Sequence, residues 1–112
     1  MKKLEIIIRP EQLENLKEIL ESCKATGAMI TNIMGYGTQK GYKQVYRGAE
    51  YNVNLLPKVK VETIVDDPLS EAIISKVLKE INTGNYGDGK IFIYNVEDAI
   101  RIRTGERGSA AI

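Results

Sequence analysis

Apolar residues in this chain first recur at every second position, then at helical spacing, then again at every second position, and the whole series occurs twice. The alternating stretches are typical of strands, and the stretches between them, each opened by a proline, are typical of amphipathic helices. The series predicts strands over 3–9 and 29–34 around a helix over 10–24, and strands over 58–65 and 90–96 around a helix that begins at Asp67 and Pro68 and closes at Gly84. Two such βαβ units predict a ferredoxin-like α+β sandwich, with both helices on one face of a four-stranded antiparallel sheet.

The other face of that sheet has no helix to cover it. Ile7, Ile64 and Phe92 fall on the alternation that points to this face, so the face cannot be wholly polar. Because burial of apolar surface stabilises by about 25 cal/mol per Å², we expect copies of the chain to associate through it. A length of 112 residues fits one domain, residues 1–112.

Residues 35–57 separate the two βαβ units and show no sustained strand or helix period. They hold four of the six Tyr in the chain, namely Tyr36, Tyr42, Tyr46 and Tyr51. Loops longer than about 12–15 residues are uncommon in small domains and usually carry function. The segment is therefore predicted to be a long loop, either a mobile surface loop or a recognition loop that becomes ordered on a partner.

Composition excludes several classes of function. A net charge of +1 argues against a protein that binds a nucleic-acid backbone. The chain has no His and a single Cys23, which argues against zinc chemistry, His-dependent hydrolysis and an internal disulfide. Its apolar runs, such as Ile6–Ile8, are far shorter than the roughly 20 residues of a membrane helix. We therefore expect a cytoplasmic protein with no nucleic-acid partner and no direct membrane insertion.

Residues 84–90 match the first seven positions of a Walker A loop, but Ile91 stands where Ser or Thr must bind magnesium. The segment also leaves a helix and opens a strand, which is the reverse of a P-loop, so that assignment is rejected. Its three glycines can still present backbone N–H groups to an anion, with Lys90 beside them.

Two other groups of residues suit phosphate binding. Residues 35–41 form a second glycine cluster after a predicted strand, and Arg101 and Arg103 lie in an alternating piece near the end of the chain. That piece is expected to form an edge strand with both guanidinium groups on one side. These features are consistent with nucleotide binding, and the same charges could belong to a solvated surface.

Three longer motifs resolve this choice by resemblance. The segments 46–51 (YRGAEY), 83–93 (TGNYGDGKIFI) and 101–106 (RIRTGE) are similar to the signatures of the PII nitrogen-regulatory signal-transduction proteins, at matching mutual spacing and over the full chain. The resemblance implies a homotrimeric ferredoxin-like sensor with ATP or ADP in clefts between its subunits. It also implies that 2-oxoglutarate is bound only together with ATP and magnesium, which is positive linkage between ligands.

The resemblance also implies roles for individual residues. Those expected to contact the nucleotide phosphates from one subunit are Gly35, Gly37, Gln39, Gly87, Asp88, Gly89 and Lys90. Arg101 and Arg103 are expected to reach the phosphates from the neighbouring subunit, and Ile64 to lie near the adenine. Gln39 would hold magnesium, and Lys58 would pair with a carboxylate of 2-oxoglutarate. Thr38 stands where many members carry Arg, which predicts weaker ATP binding or a weaker preference for ATP over ADP.

By the same resemblance, the long loop, about residues 37–55, would signal by changing conformation. Its targets in the family include ammonium transporters, enzymes of nitrogen assimilation, regulators and nucleotidyl-transferring enzymes, and Tyr51 matches a residue that is uridylylated in part of the family. We expect no enzymatic activity, because the chain shows no base paired with carboxylates. The alternatives are a small phosphatase or ATPase on the same fold and an RRM-like RNA binder, although Phe92 and Tyr94 lack the surrounding RRM pattern.

Overall fold

The computed structural model describes residues 1–36, 42–46, 49–53 and 55–112, and for the second and third ranges it describes the strand pairing. Within these ranges the strands are β1 (Lys2–Ile8), β2 (Met29–Tyr36), β3 (Tyr42–Tyr46), β4 (Ala49–Val53), β5 (Leu55–Val65) and β6 (Lys90–Asn95). The helices are α1 (Leu13–Ser22) and α2 (Asp67–Glu80), and short 3-10 turns occupy Pro10–Gln12 and Gly108–Ala111. No helix of the described residues is long and apolar enough to cross a membrane.

The main sheet has the strand order β2-β5-β1-β6, and all of its pairings are antiparallel. Strand β1 lies at the centre and pairs with β5 on one side and with β6 on the other. The predicted α+β architecture of two helices and a four-stranded antiparallel sheet is therefore confirmed. The order is the one expected of a ferredoxin-like sandwich.

The core lies between the helices and one face of this sheet. Alternate residues of β1 and β5 supply one side of it, and the apolar stripes of α1 and α2 supply the other. The buried apolar residues are Leu4, Ile6, Ile8, Leu16, Ile19, Leu20, Val59, Val61, Val65, Ile73, Val77 and Ile81. In the second helix the sequence predicts an apolar stripe at every fourth residue, Leu69, Ile73, Val77 and Ile81, and the last three of these are buried. The helix begins at Asp67, as the sequence predicts, and its N-cap residue is Asp66.

The open face of the sheet combines charged and apolar side chains. Lys60 lies 3.8 Å from Glu5 and 3.6 Å from Glu62, and Lys3 lies 3.3 Å from Glu62. The Tyr94 hydroxyl donates a hydrogen bond of 2.9 Å to Glu5, and this carboxylate raises the pKa of the tyrosine. The expected apolar residues of this face, Ile7, Ile64 and Phe92, range from half-buried to exposed.

The segment between β2 and β5 contains strands that the sequence interpretation missed. Tyr42–Tyr46 and Ala49–Val53 pair as an antiparallel ribbon, so the expectation that this segment lacks a strand period was wrong for these residues. Aromatic and β-branched residues at alternate positions favour strands, and the glycines around them concealed that signal. Strands β2 and β5 also pair up to Tyr36 and Leu55, which lead into this ribbon.

The expected C-terminal edge strand is absent from the described residues. Residues 101–104 form a turn, in which the N–H of Gly105 donates to the Arg101 carbonyl at 2.7 Å and the N–H of Arg101 donates to the Glu106 carbonyl at 2.9 Å. Gly105 has φ +73°, a conformation that reverses the chain and that glycine adopts without strain. The local turn therefore takes precedence over the short alternating pattern. Only an isolated bridge joins Ile100 to Arg107 in this part of the described chain.

Gly89 lies against the backbone of the central strand. Its φ is +112°, and a Cβ at this position would be 1.7 Å from the Ile7 carbonyl oxygen. No side chain can occupy that space without moving β1 or β6, so glycine fixes the point where the chain returns to the sheet.

We predict that Gly89→Ala destabilises the protein by about 2–4 kcal/mol, because it adds backbone strain to a clash with β1. Urea denaturation measures the effect. Gly105→Ala is the matched control, since Gly105 also has positive φ but a Cβ there would meet nothing within 4 Å. Equal losses in the two variants would show that the approach to Ile7 contributes nothing.

Candidate ligand-binding site

A glycine-rich turn joins α2 to β6. Gly84, Gly87 and Gly89 have φ values of +80°, +91° and +112°, which other residues rarely adopt. The turn ends at Lys90, the first residue of β6, so this lysine is positioned by the sheet while the glycines expose the backbone. Successive N–H groups in such turns can bind an anion, as the sequence predicted.

Asp88 holds this turn in place. Its carboxylate accepts hydrogen bonds from the Thr83 hydroxyl at 2.5 Å, the Thr83 N–H at 2.7 Å and the Gly84 N–H at 3.0 Å. Arg9, which follows β1, lies 2.6 Å from the same carboxylate and also donates to the Tyr86 carbonyl. The carboxylate of Asp88 is thus engaged by its own chain.

These contacts lower the pKa of Asp88 well below its usual range, chiefly through the hydrogen bonds from Thr83 and then through Arg9 and Gly84. Because the folded-state pKa lies below the unfolded one, the contacts favour the folded state at neutral pH. That contribution is lost as the pH falls from about 4 toward the folded-state pKa. The sequence analysis did not identify Arg9 or Thr83 as partners of Asp88. Arg9 is far from Asp88 in the sequence, and Thr83 and Asp88 belong to a turn with no regular pattern.

Lys58 connects the glycine turn to strand β5, at a position where β5 pairs with β2. Its side chain is buried, with 9% of the residue exposed, and its Nζ donates to the Gly87 carbonyl at 2.9 Å. Burial lowers its pKa, and the nearby Arg9 guanidinium lowers it further. A Cβ on Gly35 would be 3.1 Å from Cγ of Lys58, so these residues also pack together.

A separate cavity of about 450 Å³ lies beside the start of β2 and the far end of β5. Ile64 and Arg101 both line it, together with Gly27, Met29 and Ile112. One wall is fixed by Thr63, whose hydroxyl donates to the Gly27 carbonyl at 2.6 Å. The structure therefore brings together the residue expected near adenine and one of the two arginines expected near phosphate.

Arg101 is already paired within this region. Its Nη1 lies 3.0 Å from the Glu106 carboxylate, which also accepts a hydrogen bond of 2.8 Å from the Thr104 hydroxyl. Arg101 and Glu106 are 37% and 46% exposed, and such surface pairs contribute little to stability. The guanidinium can therefore exchange this partner for another anion at small cost. Arg103 lies exposed in the same turn.

The predicted site residues thus fall into two groups within one chain. We call Gly35, Lys58 and Gly87–Lys90 the glycine-turn half-site, and we call Ile64 and Arg101 the Arg101 half-site. Lys58 and Ile64 are six residues apart on the extended strand β5, a distance of about 20 Å at about 3.3 Å per residue. A single chain therefore does not bring the two half-sites together.

The remaining predicted residues are not placed. Gly37, Thr38 and Gln39 lie outside the described residues, and Tyr51 belongs to β4, where its backbone pairs with Gln44. Among the residues that the structure describes, no group of three or more His, Cys, Asp or Glu could hold a metal ion.

Comparison with known proteins finds relatives along the whole chain. The family model described as Nitrogen regulatory protein P-II matches residues 1–106. Proteins named Nitrogen regulatory protein P-II from Rhodospirillum rubrum and Bradyrhizobium diazoefficiens are 51% and 50% identical over 112 residues, and Nitrogen regulatory protein P-II 1 from Escherichia coli is 46% identical. In each case the match covers 100% of both chains. The resemblance predicted from the sequence is confirmed, and the chain belongs to the P-II nitrogen regulatory protein family.

Proposed function

We propose that this chain is a non-enzymatic signal-transduction protein of nitrogen regulation that binds ATP or ADP and 2-oxoglutarate between subunits of a homotrimer. The names of its relatives support the regulatory role. The observation that carries the proposal is the division of the site residues into two half-sites about 20 Å apart on β5. Such a division is expected when each site is completed by a second copy.

The open face of the sheet supports assembly through identical copies. Lys3, Glu5, Lys60 and Glu62 on this face already neutralise one another, so burial against a second copy leaves none of these four charges without a partner. Ile7, Ile64 and Phe92 add apolar area to the same face. A head-to-tail arrangement that joins one half-site to the other on the next copy closes into a ring of three when successive copies are related by a third of a turn.

The two half-sites divide the recognition of a nucleotide between them. In the glycine-turn half-site, backbone N–H groups and Lys90 are suited to the phosphates. From the neighbouring copy, Arg101 and Arg103 add guanidinium groups, and the cavity beside Ile64 has an apolar wall and a volume of about 450 Å³, suited to a base. Magnesium, held with the help of Gln39, would bridge the bound anions.

Lys58 is the proposed contact for 2-oxoglutarate. It is a buried cation whose Nζ donates a hydrogen bond of 2.9 Å to the Gly87 carbonyl. A lysine has three donors, so a carboxylate can bind beside that carbonyl. Gly87 is part of the phosphate-binding turn, so the conformation of the turn that binds the nucleotide would also position Lys58 for the oxoacid. Binding of each ligand would therefore favour binding of the other.

The output of the protein is a change of conformation in the segment of about residues 37–55. Lys58 lies on the strand that leaves this segment, so a ligand at Lys58 can bias its conformation directly. Its targets would be proteins such as an ammonium transporter, a nitrogen-assimilation enzyme or a regulator, in the cytoplasm. Tyr51 is the proposed acceptor for a nucleotidyl-transferring enzyme.

Assembly and nucleotide retention test the core of the proposal. We expect light scattering to give three times the 12.5 kDa chain mass and the assembled protein to bind ATP and ADP. Incubation with ATP should release no phosphate beyond the rate without protein. A monomer that retains neither nucleotide would contradict the proposal, and steady phosphate release would instead favour the small ATPase.

We predict that 2-oxoglutarate binds tightly only when magnesium and ATP are present. Lys58→Met should weaken this binding about tenfold or more, because a charge-assisted contact contributes about 1.5–3 kcal/mol. Calorimetric titration with and without Mg-ATP measures both effects. Lys17→Met on α1 is the matched control, since Lys17 is exposed and pairs with Glu14 on the surface of that helix. Equal affinity for the oxoacid without nucleotide would contradict the linkage.

We predict that Thr38→Arg tightens ATP binding more than ADP binding. The added guanidinium supplies the group that many members have near the terminal phosphate, which ADP lacks, and the gain should be about tenfold or more. Competition titrations of both nucleotides against wild type and variant give the ratio directly. A similar gain for ATP and ADP would show that residue 38 does not sense the terminal phosphate.

A further inference from the structure

An apolar groove of about 420 Å³ runs between α2 and β6. Its apolar lining consists of Ile74, Val77, Leu78, Ile81, Ile91 and Ile93. Leu78 is 59% exposed and Ile93 is 53% exposed, so the groove is open to solvent in the isolated chain. Large apolar side chains that line an open groove together indicate a surface that is covered by a partner.

The position of the groove is informative about that partner. Its lining also includes Gly89 and Lys90, which belong to the glycine-turn half-site. The groove therefore borders the half of the nucleotide site that this chain cannot complete by itself. In addition, β6 pairs only with β1 within the described residues, so its outer edge is available to another chain.

The Arg101 turn carries an apolar side chain with no cover. Ile102 is 99% exposed, the highest value among the large apolar residues that the structure describes. It stands between Arg101 and Arg103, the two residues expected to reach the phosphates from a neighbouring subunit. Burial of this side chain against another apolar surface would stabilise an assembly of copies.

This side chain does not reach the groove of its own chain through any described contact. Arg101 lines the cavity beside Ile64, and that cavity shares no lining residue with the groove. Ile102 is 99% exposed and therefore does not fill the groove of its own chain, which leaves both available for a contact between two copies.

We propose that Ile102 of one copy inserts into the α2–β6 groove of the next copy, where it contacts Leu78 and Ile93. The inference rests on the proposed nucleotide site between copies and assigns the contact that holds its two halves together. Insertion of Ile102 places Arg101 and Arg103 beside Gly89 and Lys90. The contact is heterologous, so its repetition from copy to copy closes a ring of three when successive copies are related by a third of a turn.

The same contact couples assembly to nucleotide binding. It brings the guanidinium groups of the Arg101 turn close to Lys90, and like charges at short distance repel each other unless an anion lies between them. A nucleotide phosphate supplies that anion, so ATP and ADP should stabilise this interface. The apolar contact of Ile102 with Leu78 and Ile93 provides the attraction between copies when no nucleotide is bound.

Disulfide trapping tests the contact directly. In a Cys23→Ser background, the double variant Leu78→Cys and Ile102→Cys is oxidised with oxidised glutathione in the presence of Mg-ATP and analysed on a non-reducing denaturing gel. We expect covalent trimers, because each chain is linked to the next through residues 78 and 102. A disulfide within one chain would run as a monomer, and it would overturn the proposal.

The matched control replaces Leu78→Cys by Glu14→Cys, which is exposed on α1, outside the groove. This pair should give no covalent trimer. Wild type, measured in parallel by light scattering and nucleotide titration, separates the two levels of inference. If the wild type is a nucleotide-binding trimer but the cysteines at 78 and 102 of the double variant stay unlinked, only the Ile102 contact is overturned. If the wild type is a monomer that binds no nucleotide, the proposed function is overturned as well.

Exchange of charge provides a second, independent measurement. Ile102→Lys and Leu78→Glu should each lower the affinity between copies at least tenfold, and the double variant should recover most of that loss because the two new charges attract each other. Sedimentation at several concentrations measures the association. Losses that simply add in the double variant would overturn direct contact between these positions.

Discussion

The carboxylate of Asp88 is the interaction on which the arrangement of the site depends. It joins Arg9 at the end of β1, Thr83 after α2 and the turn that leads into β6, and these parts are far apart in the sequence. With the turn fixed in this way, Gly87 presents its carbonyl to Lys58, and Lys90 enters the sheet at a defined position. A residue that resembles a ligand contact in the sequence thus acts as an organiser of the backbone.

The sequence predicted the parts of the fold that repeat locally. The alternation of β1 and the stripe of Ile73, Val77 and Ile81 are visible in a short window, because one buried face imposes its period on consecutive residues. The link from Arg9 to Asp88 has no such period, since it spans 79 positions, and no local pattern indicates it. The predicted edge strand at 101–103 failed for a related reason, because a glycine outside the alternating piece reverses the chain.

The sequence predicted a set of candidate site residues, but it did not predict where they lie relative to one another. Resemblance gave the members of both half-sites, and the structure then separated Lys58 from Ile64 along one strand. Local pattern cannot reveal that separation, because it depends on which end of a strand each element packs against. The open groove beside β6 was likewise not visible in the sequence, since its lining comes from two elements whose contact is tertiary.

Strand β5 has a further consequence for communication within an assembly. It runs without interruption from Leu55, next to the β3–β4 ribbon, past Lys58 to Ile64. In the proposed ring, the two ends of this strand contribute to different nucleotide sites. One rigid strand of each copy therefore connects two neighbouring sites. A shift of β5 caused by a ligand in one cleft would therefore alter the geometry of the next. The three binding events would then influence one another in sequence around the ring, which allows a graded response to metabolite concentration rather than three independent ones.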